Sequence, residues 1–244
     1  MENVSAIVLA AGKGVRMKSE LPKVMHPLLG KPLLAYVIET LHYFNISSIH
    51  VVVGYKKELI ENQFASAGVD FIWQQEQLGT GHAVLQAEEA FNQKKTETVL
   101  VLAGDVPLLK AETLKALVDF HNQHNSAATD LTAIMPDAGN YGRVIRDRDG
   151  HILKIVEKKD ATEDELKIKE INTGTFCFNA AKLFAALKEV RSENAQGEYY
   201  LTDTIEILKK QGHPVFAFAA PDYKETVGIN TKEQLLELEK TLQN

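Results

Sequence analysis

Residues 7–23 read IVLAAGKGVRMKSELPK, and the way this stretch breaks decides the fold. Ile7, Val8 and Leu9 form a β-branched and aliphatic run that gives way to the small residues Ala10, Ala11 and Gly12. Arg16 and Lys23 follow on one glycine-containing loop. A buried strand that opens into small residues can present bare backbone N–H groups and fixed cations to a phosphate. Two standard phosphate motifs are excluded. Gly12 and Gly14 begin a dinucleotide-type G-x-G, but Met17 stands where the third glycine belongs, and no G-x-x-x-x-G-K-[ST] occurs in the chain. A dehydrogenase reading fails on that missing glycine.

Working outward, Gly30-Lys31-Pro32 stops the chain and sets a helix start with Pro32 in the first turn, and Leu33, Leu34, Val37, Ile38 and Leu41 then recur at helical spacing. Residues 49–53 read as a second buried strand, 57–64 as a short helix, 70–73 as a third strand and 99–102 as a central strand. This β and α alternation implies an α/β fold, a Rossmann-like, mostly parallel sheet with helices on both faces. From residue 131 the character changes. Strands are expected at 131–135, 143–146, 152–156 and 171–178, with a hairpin turn at Asp149-Gly150 and a helix near 162–167. This β-rich substrate lobe, at about 131–178, would cover the ligand edge of the sheet. Helices at 180–190 and 201–211, a strand at 215–219 and a final helix introduced by the capping pattern Thr231-Lys232-Glu233-Gln234 complete the chain.

Bulk properties narrow the class. A chain of 244 residues with 45% hydrophobic and 25% charged residues can bury a substantial core. A formal charge of −6 argues against a nucleic-acid backbone as partner, but a nucleotide needs only local cations. The single cysteine, Cys177, excludes an internal disulfide, fits a reducing compartment and sits in a strand-like run as a core thiol. The N-terminus lacks the basic segment and long apolar core of a signal peptide, and no stretch approaches the ~20 apolar residues that span a bilayer, so a cytoplasmic protein is expected.

Asp105 falls at the tip of the 99–102 strand, where ligands bind in open α/β sheets, and is the first choice for a metal ligand; capping the following turn is its structural alternative. Residues 74–81, QQEQLGTG, leave a strand and enter a helix, with an amide and glycines suited to the edge and face of a pyrimidine; Thr80 could equally be a helix N-cap. His82 has no catalytic partner in sequence and is expected to pack.

The stretch LAAGKGVRMKSELPK resembles the signature of the sugar-nucleotide pyrophosphorylases, nucleotidyltransferases that join a nucleoside triphosphate to a sugar 1-phosphate. QQEQLGTGHAV from Gln74, AGDVPLL from Ala103, YGRVI from Tyr141, VEKKDAT from Val156, EINTG from Glu170, NAQGEYYLTD from Asn194 and VGIN from Val227 narrow the resemblance to the bacterial N-acetylglucosamine-1-phosphate uridylyltransferases, in order and almost end to end. The resemblance implies one nucleotidyltransferase domain over residues 1–244 that makes UDP-N-acetylglucosamine and pyrophosphate from UTP and N-acetylglucosamine 1-phosphate, for cell-wall and lipopolysaccharide synthesis. It assigns Arg16 and Lys23 to catalysis and Leu9, Ala10, Ala11, Gly12, Lys23, Gln74, Gly79, Thr80 and Gly104 to the nucleotide. Gly142, Glu157 and Asn172 go to the sugar, and Asp105 and Asn230 to Mg²⁺, with Mn²⁺ or Co²⁺ as substitutes. A capping role is the alternative for Asn230. The chain departs from the family pattern at Ala103, where a tyrosine is usual, and at Val15, where a threonine is common. The resembling bifunctional enzymes also carry a β-helix acetyltransferase domain of hexapeptide repeats; no such repeats occur here, so acetyl transfer is not expected of these residues. Membrane insertion is not expected, and the sequence leaves the oligomeric state open. A pyrophosphorylase for another sugar 1-phosphate, or a non-catalytic nucleotide-binding module, are the competing readings.

Overall fold

The computed structural model describes residues 3–46, 48–92 and 98–243. Eleven strands are assigned among them: β1 (Val4–Ala10), β2 (Pro27–Leu28), β3 (Lys31–Pro32), β4 (Ser48–Val53), β5 (Asp70–Trp73), β6 (Thr98–Ala103), β7 (Ala128–Ile134), β8 (Arg143–Arg146), β9 (Ile152–Val156), β10 (Glu170–Asn179) and β11 (Val215–Ala219). The helices are α1 (Leu33–Tyr43), α2 (Lys57–Gln63), α3 (Thr80–Leu85), α4 (Glu88–Asn92), α5 (Ala111–Gln123), α6 (Glu163–Leu166), α7 (Ala180–Leu187), α8 (Asp203–Lys210) and α9 (Lys232–Gln243).

The main sheet runs β11-β7-β10-β6-β1-β4-β5, with β10 antiparallel to both neighbours and the rest parallel. The period of two along each strand sorts the core onto two faces. Ala6, Val8 and Ala10 of β1, Val51 and Val53 of β4 and Leu100 and Leu102 of β6 pack against α1, α2 and α5. Ile7, Val52, Val99 and Val101 point the other way, against α3, α7 and α8. Cys177 is fully buried among the first group, and burial pushes its thiol pKa well up, as expected of a core side chain.

Three features differ from the sequence expectation. Strands β7 and β10 belong to the main sheet, and the β8–β9 hairpin joins the same sheet as a branch from β10, through Ile171 opposite Arg143. Hydrophobic alternation identifies a half-buried strand but not its partner. Pro32 is the N-cap of α1 rather than a residue of its first turn, because it closes the small β2–β3 pair before the helix begins. Helices α7 and α8 are shorter than the apolar spacing suggested, since residues 188–202 between them are not helical.

Because β1, β4, β5 and β6 are parallel, their C-terminal ends open on one edge of the sheet. β10, running the other way, begins at that same edge with Glu170, Ile171 and Asn172.

Candidate functional site

Two adjoining cavities lie along this edge, of about 240 and 290 Å³, and both are lined by Leu9, Thr80, Ala103 and Asp105. The larger runs over Ala10, Ala11, Gly12 and Lys23 to Gln74 and Gly79. The smaller runs from Arg16 and Asn230 to Gly142, Glu157 and Asn172. Of the fifteen residues singled out from sequence, fourteen therefore line one cavity or the other. Gly104 does not, but its N–H donates to Leu9 O (2.9 Å), and a Cβ there would stand 3.0 Å from that oxygen, so it permits the close approach of the two strand ends.

At the join of the cavities the charged groups meet. Lys23 Nζ donates to the buried Asp105 carboxylate and, at 3.2 Å, to Asn230 Oδ1. An Arg16 guanidinium nitrogen donates to the same Asn230 oxygen at 2.9 Å. The Ile229 N–H donates to Asp105 O (2.9 Å), which joins the Asn230 segment to the end of β6. Asn230 Nδ2 donates to Gly228 O (3.1 Å), and its own N–H donates to Gln234 Oε1 (2.8 Å). The expected cap of α9 is present beside it: Thr231 N–H donates to Gln234 Oε1 (3.1 Å), and Gln234 N–H to Thr231 Oγ1 (3.2 Å). Asn230 thus has its backbone in the cap and its side chain in the charged cluster.

Thr80 is not an N-cap. Gly79 holds that place with no side-chain bond, and Thr80 Oγ1 instead accepts from Leu201 N–H (3.0 Å). Gly79 has φ +113°, and a Cβ there would lie 2.6 Å from Tyr199 O, so the position requires glycine. The 199–201 segment crosses the loop through Tyr199 N–H to Leu78 O (2.8 Å) and Gly81 N–H to Tyr199 O (2.7 Å). Gln74 is buried, its Nε2 donating to Gly79 O (3.1 Å) and lying 3.0 Å from His82 Nδ1. His82 therefore fixes the amide of Gln74 as well as packing.

In the other cavity, Asn172 N–H donates to Gly142 O (3.0 Å), and Asn172 Oδ1 accepts from Gly174 N–H (2.8 Å) across a bulge in β10 where Gly174 has φ +79°. Glu157 Oε1 accepts weakly from Thr202 Oγ1 (3.4 Å). Burial, with Asp203, Asp160 and Glu198 nearby, raises the Glu157 pKa, while the Thr202 bond opposes that shift. Asp203 is raised to about 6, first by burial and then by Glu206 and Asp160. Tyr141, Glu198 and Thr202 also line the cavities, although none of them is among the site residues expected from sequence. Tyr141 Oη accepts from Gly228 N–H (3.0 Å), tying the two sides of the smaller cavity; its adjacency to Gly142 was the available signal.

Among the described residues, Asp147, Asp149 and His151 also place ligand atoms within 4.8 Å of one another, but they form the β8–β9 turn and line neither cavity. Asp147 Oδ1 there accepts from the Asp149 and His151 N–H groups, which, with burial opposing, hold its pKa down.

The nucleotidyl transferase family model matches residues 5–243. The bifunctional protein GlmU of Oceanobacillus iheyensis is 48% identical over 242 residues, covering 99% of this chain and 53% of the relative. The protein of the same name from Enterococcus faecalis is 49% identical over 235 residues, covering 96% and 51%. The chain thus spans about half the length of the curated relatives it matches. Among solved structures, a UDP-glucose pyrophosphorylase complexed with UDP-glucose superposes with a TM-score of 0.77 at 19% identity, covering 98% of each chain. HddC from Yersinia pseudotuberculosis, complexed with GMP-PN, superposes with a TM-score of 0.71 at 21% identity, covering 98% of this chain and 99% of that one. These two likenesses establish the fold. No helix among the described residues is long and apolar enough to cross a membrane.

Proposed function

The chain belongs to the nucleotidyl transferase family, and within it we propose that the protein transfers a uridylyl group from UTP to N-acetylglucosamine 1-phosphate, giving UDP-N-acetylglucosamine and pyrophosphate. The observation that carries this reading is the pair of cavities sharing a wall, with Arg16, Lys23, Asp105 and Asn230 gathered where they meet. One cavity suits a nucleotide and the other a sugar phosphate, and the reacting phosphates would lie at the join. The supply of UDP-N-acetylglucosamine for cell-wall synthesis follows as the role, in the cytoplasm.

In the larger cavity, Gln74 Nε2 is already engaged by Gly79 O and His82, so its Oε1 is the atom left to accept the N3–H of uracil. Leu9 to Gly12 carry the phosphates past the end of β1. In the smaller cavity, Glu157 and Asn172 offer an acceptor and an amide to the hydroxyls and acetamido group, and Gly142 leaves room beside them; a Cβ there would meet Glu157 Oε1 at 3.4 Å. Residues 131–178 supply this sugar side of a single nucleotidyltransferase domain.

A sugar-phosphate oxygen attacks the α-phosphorus in line, forming one P–O bond while the α–β bridging P–O bond breaks and pyrophosphate leaves. The nucleophile is an anion at neutral pH and needs no general base. Catalysis is positioning and charge neutralisation, with Arg16 and Lys23 set against the charge that grows on the leaving pyrophosphate. Asp105 and Asn230 fit a hard divalent cation, Mg²⁺ by preference, because a carboxylate and a carbonyl oxygen already converge on the single ammonium of Lys23. When bound, such a cation supplies charge neutralisation to the phosphates.

The test is pyrophosphate release with Mg²⁺, pairing UTP and the other triphosphates with N-acetylglucosamine 1-phosphate, glucosamine 1-phosphate and glucose 1-phosphate. Release with UTP and the acetylated sugar alone is expected. Release with another pair would move the substrate, and none with any pair would leave a nucleotide-binding module.

A further inference from the structure

Arg16 occupies a short and weakly tethered piece of chain. Residues Val15–Met17 form a single 3-10 turn, flanked by Gly14 at φ +69° and Lys18 at φ +47°. Two left-handed residues on either side prevent the turn from extending into a helix. Its backbone bonds are internal: Met17 N–H to Gly14 O (2.9 Å) and Lys18 N–H to Val15 O (3.1 Å). Val15 is 75% exposed and Arg16 is exposed as well. Met17 alone among the three is buried, at 0% exposure.

The socket that receives Met17 is built from distant parts of the chain. Leu28 and Leu33 come from the segment around β2 and the start of α1, Ile229 comes from the segment that leads into α9, and Leu235 from α9 itself. Ile229 immediately precedes Asn230 and donates its N–H to Asp105 O, so the wall against which Met17 packs leads directly into one proposed metal-holding residue and is hydrogen-bonded to the other. A side chain one residue from Arg16 is thus seated against a residue one position from Asn230, and the guanidinium meets the Asn230 oxygen at 2.9 Å.

We propose that Met17 is the positioning residue for Arg16, a buried anchor that holds the guanidinium over the join of the two cavities by seating the loop against Ile229 and Leu235. This rests on the uridylyl-transfer reading for what Arg16 does, but the anchoring itself is a property of the loop. Without the anchor, what holds the turn among the described residues is its own two internal bonds, the solvent-exposed Arg16–Asn230 bond and the exposed charge of Lys18 near Glu233 of α9. Nothing in that set fixes its orientation against the sheet. Met17→Leu, which refills the socket with a side chain of similar volume, should restore the position.

The experiment is a double-mutant cycle with a stability control. Met17→Ala is expected to lower kcat about tenfold, because a small displacement of a positioned group costs rate steeply, while both KM values stay within about twofold. Met17→Leu is expected to return most of the loss. In the Arg16→Ala background, Met17→Ala should cause no further loss, since it acts only through the guanidinium. Leu117→Ala, a cavity variant in the α5 core, should keep its kcat below its own unfolding temperature. Additive losses in the cycle, or an equal kcat loss in Leu117→Ala, would overturn the proposal. Should Met17→Ala not fold, Leu235→Ala opens the same socket from the α9 side and carries the same expectations.

Limited trypsin digestion supplies a readout independent of turnover. Cleavage after Arg16 and Lys18 should accelerate about tenfold in Met17→Ala and not in Leu117→Ala, as local opening replaces global opening. Equal rates in the two variants would refute the anchor. If the wild-type protein released no pyrophosphate from any substrate pair, the functional reading would fail, and digestion would still decide the anchor.

Discussion

Gly79→Ala tests the geometry of the proposed base-binding loop most directly. A Cβ at this position would lie 2.6 Å from Tyr199 O, 2.8 Å from Tyr199 N and 2.9 Å from Glu198 Cβ, and the first two are backbone atoms that cannot swing away. The φ of +113° adds strain of roughly 1–3 kcal/mol for a residue with a side chain. Relieving the clash must lengthen Tyr199 N–H to Leu78 O and Gly81 N–H to Tyr199 O, now 2.8 and 2.7 Å, at about 1 kcal/mol each. The sum is about 3–5 kcal/mol of stability. Function should suffer too, because Gln74 Nε2 donates to Gly79 O and would lose its orientation, raising the KM for UTP. Gly81→Ala is the matched comparison. Its Cβ would stand 3.0 Å from Tyr199 O but at an unstrained φ, and alanine gains up to about 1 kcal/mol of helix propensity in α3, so the net cost should be about 1 kcal/mol or less. Urea denaturation of both variants, with UTP titrated in the turnover assay, decides the matter. The reasoning is refuted if Gly79→Ala matches Gly81→Ala in stability and leaves the UTP KM unchanged.

Arg16→Ala should lower kcat about a hundredfold with a far smaller rise in the sugar-phosphate KM; weakened UTP binding at full turnover would contradict its role. Asp105→Ala should abolish metal-dependent turnover, and near-normal rates at saturating Mg²⁺ would remove it from the metal site. Asp203 has a folded pKa of about 6 against an ordinary 3.8, so between those values the folded protein holds a proton that the unfolded chain has released. Stability therefore falls as pH rises through that window. Asp203→Asn should remove the slope and stabilise the protein at pH 7.5 by on the order of 1 kcal/mol, less than the whole shift because the carboxylate is partly solvated; thermal unfolding from pH 4 to 7.5 checks it.

The buried strands β1, β4 and β6 were legible because their runs are continuously apolar, which only a sheet covered on both faces allows. Their parallel direction followed from the helices between them. The place of β10 was not legible. Its apolar residues are as well suited to a separate lobe as to the slot between β7 and β6, and only pairing across long sequence separations chooses between them. At the site, Asp105 was readable from its position at the tip of a strand, but Glu157 and Asn172 were carried by resemblance alone. Their chemistry is ordinary until the fold brings them to one cavity. The value of φ at Gly79 was also hidden, since a glycine in sequence shows permission for a left-handed residue and not its use.

The sheet order explains why residues 7–23 govern so much. β1 is flanked by β6 on one side and β4 on the other, so the chain leaves β1 in one direction and returns in the other, and loops at the ends of these neighbours diverge. Ligand crevices form at such a switch point. Leu9 and Ala103 are paired in register across the β1–β6 seam, and both line both cavities. The seam is therefore the shared wall, with the Gln74 side beyond β1 and the Asn172 side beyond β6. The proposed displacement in line needs its nucleophile and its leaving group on opposite sides of one phosphorus, and a seam between two parallel strand ends would give each substrate its own side. The cations must then come from a loop that crosses the seam, which is the loop that leaves β1 through Gly12 and carries Arg16 and Lys23.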